Sequence, residues 1–281
     1  MKQAIWVDRI QKTIVRILLV LGSIVFMMPF YLMLVMALKT KAEVNTSSVW
    51  ALPKAPTLEN FHIVLTNPNV NFAIFFKNTL VVATFNTLGV VISAALVAYA
   101  FARMQFRGRD RLFILLISTM MLPGIITMIP SYVLYKHLGW VNTLYPFTIP
   151  AFFGGGAFNI FLLRQSFMGV PRDLDEAAIL DGAGHWTIFS RVIMPLSGST
   201  LATVGIFSFV YNWKDFLGPL ILLNDPDKMT LEVGLSAYNA LRNTEWELIM
   251  AGSTLVSIPL IVLFFIGQRY FVQGIRMSGI K

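Results

Sequence analysis

Between Arg164 and Leu196 the chain reads RQSFMGVPRDLDEAAILDGAGHWTIFSRVIMPL, with carboxylates at Asp173, Asp175, Glu176 and Asp181 and glycines at Gly182 and Gly184. Pro171 can open a helix, because its missing N–H would be unsatisfied there anyway. Carboxylates in the first turns then suit the positive end of the helix. Gly182 and Gly184 permit the backbone conformations that end it. A second short helix is expected from His185 to about Arg191, with Pro195 stopping it and able to begin the next element. The segment therefore reads as helix, glycine bend, helix, a compact knob suited to docking into a partner. Taken one residue at a time, Glu176 is equally served by stabilising a helix start, and Ala177 and Ala178 by favouring helix.

Several other chemistries are excluded. There is no cysteine, hence no disulfide, thiolate metal site or cysteine nucleophile. His62, His137 and His185 show no metal-ligand spacing, and no H-E-x-x-H occurs. A phosphate-cradling G-x-x-x-x-G-K-[ST] loop needs a Gly-Lys pair, and the chain has none. It cannot hydrolyse ATP by that mechanism.

The elements that must position the knob are long and apolar. Of 281 residues, 56% are hydrophobic and 13% charged, about half the charged share of an ordinary soluble domain. Much of the surface must therefore face lipid. Six stretches lack Asp, Glu, Lys and Arg altogether: 17–38, 78–102, 112–135, 137–163, 192–213 and 248–268. Roughly 20 apolar residues cross the hydrocarbon core as a helix, and lipid demands that every backbone group be bonded internally. The expectation is an all-α membrane protein with six transmembrane helices, at about 14–38, 74–102, 112–136, 142–166, 196–223 and 247–270. A tail at 1–16 precedes a transmembrane domain at 17–272, and a second tail follows at 273–281. The first apolar run is too long for a cleavable signal peptide and is expected to remain as an anchor.

Charge orients the spans. With the N-terminus inside, the inner segments carry Lys2, Arg9, Lys12 and Arg16; Arg103, Arg107, Arg109 and Arg111; Arg164, Arg172 and Arg191; and Arg269, Arg276 and Lys281. That is fourteen of the 22 lysines and arginines, leaving eight elsewhere, and it predicts cytoplasmic termini and a cytoplasmic knob. The formal charge of +8 is spread between apolar runs and forms no single patch, so it does not point to nucleic acid. Pro123 and Pro130 in the third span, and Pro146, Pro150 and Gly154-Gly155-Gly156 in the fourth, admit two readings. Either they reflect ordinary packing of membrane helices, or they break helices that line a polar cavity.

Glu176-Ala177-Ala178, three residues, Gly182, nine residues, then Val192-Ile193-Met194-Pro195 resembles the EAA loop of ABC importer permeases, whose pattern ends Ile-x-Leu-Pro. Val192 and Met194 are mild departures. Leu52-Pro53 with Pro56-Thr57-Leu58-Glu59-Asn60-Phe61, Asn159 to Gln165, Asn212 to Leu220 and Phe271-Val272-Gln273-Gly274 are similar to the carbohydrate (maltose and glycerol-phosphate) subfamily. The resemblance runs from about residue 14 to the C-terminus. It implies the type I importer permease fold, in the plasma membrane of a bacterium or archaeon. The loop at 170–195 would then be the coupling element that docks on a separate ATPase. Glu176 would contact it electrostatically, Ala177 and Ala178 would allow close approach, and Gly182 would set the bend, with Asp181 and Pro195 in the same docking loop. The implied partners are a second homologous permease, two ATPase subunits and an extracytoplasmic sugar-binding protein. The implied cargo is a sugar or oligosaccharide. The chain itself would bind no cofactor, and ATP and Mg would be used by the partner ATPase.

Polar groups deep in a membrane mark pathways more often than lipid faces, and aromatic faces beside amides and carboxylates suit a polyhydroxylated ligand. Tyr132, Asn159, Asn212, Lys214 and Asp215 are the candidates, with interhelical hydrogen bonding as the alternative for each. Lys214 and Asp215 are about 100° apart on a helix and cannot face each other. A cavity-facing Lys214 would fit an acidic sugar; at the outer interface it would snorkel. A permease of the same class for another solute shares the loop but not the flanking motifs. A secondary transporter would place several ionisable residues in the spans, where only Lys214 and Asp215 lie.

Overall fold

A computed structural model describes residues 2–67, 71–241 and 245–278, and among them there are helices and no strands. The chain divides into two compact units, one of residues 1–70 with 237–258 and one of 71–236 with 259–281.

In the first unit, α1 (Lys2–Ala37) is a single helix, so the expected tail at 1–16 continues the first span from residue 2 onward. Its stretch Gln11–Ala37 is long and apolar enough to cross a membrane, and its most apolar part buries nothing within the chain, whereas Val35 and Ala37 at its end are buried. Two short helices follow, α2 (Lys41–Thr46) and α3 (Glu59–Thr66). Thr40 caps α2 by accepting the Glu43 N–H at 3.3 Å. The carbonyls that end α1 have no partner inside the helix. Buried Asn60 supplies one, its Nδ2 donating to the carbonyls of Ala37 and Lys39 at 2.8 Å each. Lys39 is itself buried and donates to Ser47 Oγ and the Ser48 carbonyl. The Pro56–Phe61 motif therefore does local structural work, stitching the end of α1 to the segment after it.

The second unit is built on α4 (Phe72–Arg103), an uninterrupted 32-residue helix. After it come α5 (Arg109–Ser118) with a 3₁₀ turn at Thr119–Met121, then α6 (Gly124–His137). Next are α7 (Tyr145–Thr148), a 3₁₀ turn at Ile149–Phe153 and α8 (Ala157–Gly169). The docking segment contributes α9 (Asp173–Leu180), α10 (His185–Ile188), a π turn at Phe189–Ile193 and α11 (Met194–Leu196). It is followed by α12 (Gly198–Trp213), α13 (Leu217–Leu222) and α14 (Leu231–Leu241). The last helix, α15 (Trp246–Ser278), begins in the first unit, ends in the second and includes 273–278 of the expected tail at 273–281, the rest of which lies outside the described residues.

Four of the six expected spans are matched by stretches of suitable length, Gln11–Ala37, Phe72–Arg103, Tyr145–Gly169 and Trp246–Gln268, of which Tyr145–Gly169 is assembled from α7, a 3₁₀ turn and α8 around an irregular Gly154–Gly156. The other two are corrected by the structure. The third is not one helix: 109–121 and 124–137 meet at 97°. Pro123 disfavours helical geometry at the residue before it, and Leu122 is extended at φ −78°, ψ 118°. The fifth divides at Lys214–Phe216 into α12 and α13, and α12 leaves the docking segment at 79°. The proline reading for the third span is therefore a break, not a gentle kink.

Close approach to α4 organises the second unit. Ala94, Ala95, Ala98 and Ala102 bury against Ile160, Leu163 and Phe167 of α8. Gly89 and Ser93, four apart, present another small face, and Ser93 Oγ lies 2.7 Å from the carbonyls of both Gly89 and Ala151. Small residues at this spacing let membrane helices gain van der Waals contact that lipid would otherwise supply. Gly155 closes the same seam with φ +58°, and a Cβ there would sit 2.5 Å from the Ala94 nitrogen. Gly154 has a negative φ of −152°, and a Cβ there would meet open space. Gly155→Ala is expected to cost about 1–3 kcal/mol by overpacking and left-handed strain, and Gly154→Ala less than about 0.5 kcal/mol. Thermal loss of the monodisperse peak of detergent-solubilised protein measures both, and equal melting of the two variants would refute the seam.

Candidate docking knob and membrane cavity

The docking segment folds as the carboxylates and glycines dictate. Arg172 precedes α9, and its carbonyl accepts the N–H of Asp175 and of Glu176. At the other end Gly182 takes φ +83°, a conformation glycine adopts without steric cost. The Gly182 N–H then reaches the Ile179 carbonyl and the Ala183 N–H reaches the Ala178 carbonyl, both at 2.9 Å. This pair of bonds is a Schellman closure, and Ala178 and Ala183 pack together onto the core beneath. Ala178 thus faces the chain's own interior, whereas Glu176, Ala177, Asp181, Gly182 and Pro195 are exposed. Pro195 has no N–H to donate and its ring would crowd the carbonyl four residues back. The backbone widens into the π turn just ahead of it, with the Met194 N–H bonding to the Phe189 carbonyl.

What the knob offers most prominently is apolar. Leu180 is 89% exposed, Trp186 69% and Ile179 56%. These three were not among the residues expected from sequence. The available signal was apolar residues flanking the glycine bend in a segment with no span to form.

Asp175, adjacent to Glu176, points the other way. Its Oδ2 accepts from Arg103 Nη1 at 3.0 Å, and the Arg103 side chain is only 3% exposed. Arg103 Nη2 donates to the carbonyls of Phe167 at 2.5 Å and Val170 at 2.6 Å. One turn back along α4, Tyr99 Oη lies 3.4 Å from His185 Nδ1 and its ring centroid 5.2 Å from that of Phe189. The last turn of α4 therefore holds both α9 and the α10 segment. From sequence, Arg103 was one loop cation among four.

A cavity of about 630 Å³ opens beside α4, lined by Asn86, Thr119, Gly154–Gly156, Asn159, Ser208, Tyr211, Asn212 and apolar neighbours, with no charged side chain among them. Asn159 and Asn212, both expected, are brought together here. Asn86, Ser208 and Tyr211 were missed, although Asn86 was legible as an amide well inside an uncharged run. Asn212 Nδ2 donates to the Ser208 carbonyl at 2.7 Å and to Asn86 Oδ1 at 2.9 Å. Asn86 Nδ2 donates to the Phe147 carbonyl at 2.7 Å. Asn159 Nδ2 donates to the Gly155 carbonyl at 2.9 Å. A backbone carbonyl can only accept, so these bonds fix which way each amide points. They leave the Oδ1 atoms of Asn159 and Asn212 without a hydrogen-bond partner among the described residues.

The other three candidates lie elsewhere. Tyr132 borders a separate pocket of about 70 Å³ with Tyr135, Gly218 and Leu222. Lys214 and Asp215 occupy the break between α12 and α13, so the helical spacing assumed for them does not apply. Asp215 Oδ1 accepts the Gly218 N–H at 3.3 Å and braces the break. Lys214 is exposed and acts on Glu232, whose carboxyl burial pushes up and Lys214 draws down. No cluster of His, Asp or Glu suited to a metal occurs among the described residues.

Residues 94–277 match the family described as binding-protein-dependent transport system inner membrane component. The chain is 33% identical over 264 residues to the sn-glycerol-3-phosphate transport system permease protein UgpE of Escherichia coli O1:K1, covering 92% of this chain and 93% of that one. It is 31% identical over 229 residues to the arabinooligosaccharides transport system permease protein AraQ of Halalkalibacterium halodurans, covering 82% and 81%. Its fold is similar, at a TM-score of 0.83 and 25% identity over 94% of this chain and 97% of the other, to a chain in the crystal structure of a bacterial ABC transporter involved in the import of the acidic polysaccharide alginate. With the broken spans, the exposed knob and a family match over most of its length, the chain belongs to the inner-membrane components of binding-protein-dependent transport systems.

Proposed function

We propose that this chain forms half of the membrane path of an ABC importer for a sugar or oligosaccharide, and that its 170–195 loop docks on a separate ATPase that supplies the energy. The observation that carries the reading is the knob itself, where Ile179, Leu180 and Trp186 stand exposed beside Glu176 on a rigidly closed helix end. Exposed apolar side chains ringed by polar ones suit a protein partner, and a buried leucine or tryptophan at the centre of an interface carries much of its energy. Glu176 adds a charge at the rim, where it steers association more than it tightens it. The partners in this reading are two ATPase subunits, which use ATP and Mg, a second homologous permease and an extracytoplasmic sugar-binding protein. Both termini and the knob lie in the cytoplasm, as the distribution of arginine and lysine favours.

For the path, we assign Asn159 and Asn212. Their free Oδ1 atoms accept hydrogen bonds, hydroxyl-rich ligands donate them, and Phe158, Phe207 and Tyr211 add aromatic faces along the same cavity. The names of the relatives favour carbohydrate. Tyr132, Lys214 and Asp215 border no part of this cavity, and we place Asp215 as a brace of the α12–α13 break.

Two measurements test this, both on the complex reconstituted with its ATPase, second permease and binding protein in proteoliposomes, with labelled arabino- and malto-oligosaccharides as probes. Glu176→Lys and Leu180→Asp should each abolish ATP-driven uptake while the chain remains inserted, and Leu180→Asp should also release the ATPase on purification. Normal uptake by both variants would remove the docking role. Asn159→Ala breaks only the bond to the Gly155 carbonyl, local to the start of α8, so the complex should assemble normally while uptake falls by up to about tenfold, the worth of one hydrogen bond to the ligand. Unchanged uptake would move Asn159 out of the path.

A further inference from the structure

We propose that Arg103 is the positioning residue that carries movement of the docking knob into α4, with Asp175 as its handle on α9. The inference rests on the docking reading above. Asp175 and Glu176 are neighbours with opposite tasks: Glu176 is exposed on the docking face, while Asp175 is held by a guanidinium buried in the chain. Arg103 Nη2 spends its bonds on the carbonyls of Phe167 and Val170, at the end of α8 and the start of the connection to α9. One planar, five-donor group thus fastens α4, α8 and α9 at a single point, which a lysine could not do. Tyr99 adds the contact to the α10 segment.

From that point α4 runs unbroken to the cavity. Asn86 lies 17 positions before Arg103 in the same helix, about 26 Å away at the rise of an α-helix. No proline or 3₁₀ turn interrupts α4, so it transmits a displacement rather than absorbing one. Asn86 in turn holds Asn212. The route is therefore Asp175, Arg103, α4, Asn86, Asn212, each step a hydrogen bond or a continuous helix. The pair also has room to change. Arg103 Nε and Asp175 Oδ1 are buried and lack hydrogen-bond partners among the described residues. Nε–H points to the Nη2 side of the planar guanidinium, so Asp175 cannot bridge Nη1 and Nε at once. A shift of α9 that brings Oδ1 onto Nε would give up the Oδ2–Nη1 bond, which gives this contact two alternative arrangements that a docked ATPase can choose between.

The test is sugar transported per ATP hydrolysed, in the reconstituted complex described above. Asp175→Ala removes the handle but leaves Arg103 bonded to both carbonyls. It should keep the ATPase subunits in the purified complex, continue to hydrolyse ATP, and transport about tenfold less per ATP, the scale of a typical coupling energy. Asp175→Asn, which keeps an oxygen for Arg103, should fall between Asp175→Ala and the wild type. A wild-type transport-to-ATP ratio in Asp175→Ala overturns the proposal, as does loss of the ATPase from the complex, since Asp175 would then belong to the docking surface. Should Asp175→Ala fail to insert, Asp175→Asn decides alone: a lowered ratio supports the proposal and an unchanged one overturns it. A wild-type complex that never couples ATP to uptake would instead sink the docking reading, a result seen before any substitution is made.

Discussion

The small-residue face of α4 is the constraint on which the second unit depends. Lipid offers a helix no hydrophobic reason to leave it, so helices associate only where their surfaces fit better than acyl chains do. Gly89, Ser93, Ala94, Ala98 and Ala102 allow that fit, with α8 on one side and the Ile149–Phe153 turn on another. Both candidate sites are referred to this helix. Its middle holds the amide network of the cavity, and its last turn holds the exposed knob of 170–195.

Irregular backbone is found where the chain can afford it no other way. The breaks at Pro123, at Gly154–Gly156 and at Lys214–Phe216 each leave backbone groups outside helical ladders. In hydrocarbon such groups must find protein partners or face a polar cavity. The glycine break borders the cavity, and the Lys214–Phe216 break is braced by Asp215. The same rule explains Asn60, which bonds the carbonyls that close α1.

Much of this was legible in the chain. Charge-free length identified three spans as continuous helices, because a run of apolar residues in lipid has a single good solution. The knob was legible because carboxylates, glycines and prolines act on the backbone locally: Gly182 ends α9 as its position foretold, and Pro195 shapes the turn before it. The bends were only half legible. Proline marks where a helix is weakened, but whether Pro123 breaks the helix while Pro130 sits inside one depends on neighbours distant in sequence. Pairings of that kind were not legible. Arg103 and Asp175 lie 72 positions apart, and Asn86 and Asn212 lie 126 apart. Composition gives each residue its chemistry and leaves its partner unnamed.

That asymmetry explains why charge counting could not single out Arg103. Counted with Arg107, Arg109 and Arg111 it is one more vote for a cytoplasmic loop, and the positive-inside rule treats all four alike. Burial separates them. An arginine removed from water must be paired and its donors satisfied, so a buried arginine at a helix end reports on whatever pairs it. Here the partners are the carboxylate beside Glu176 and two carbonyls from the chain leading to it. Two adjacent acids, 175 and 176, thus face different worlds by the 100° step of an α-helix alone. A loop that presents one acid outward and ties the next to its own scaffold needs neighbouring residues on opposite faces, and a helix of only eight residues supplies them.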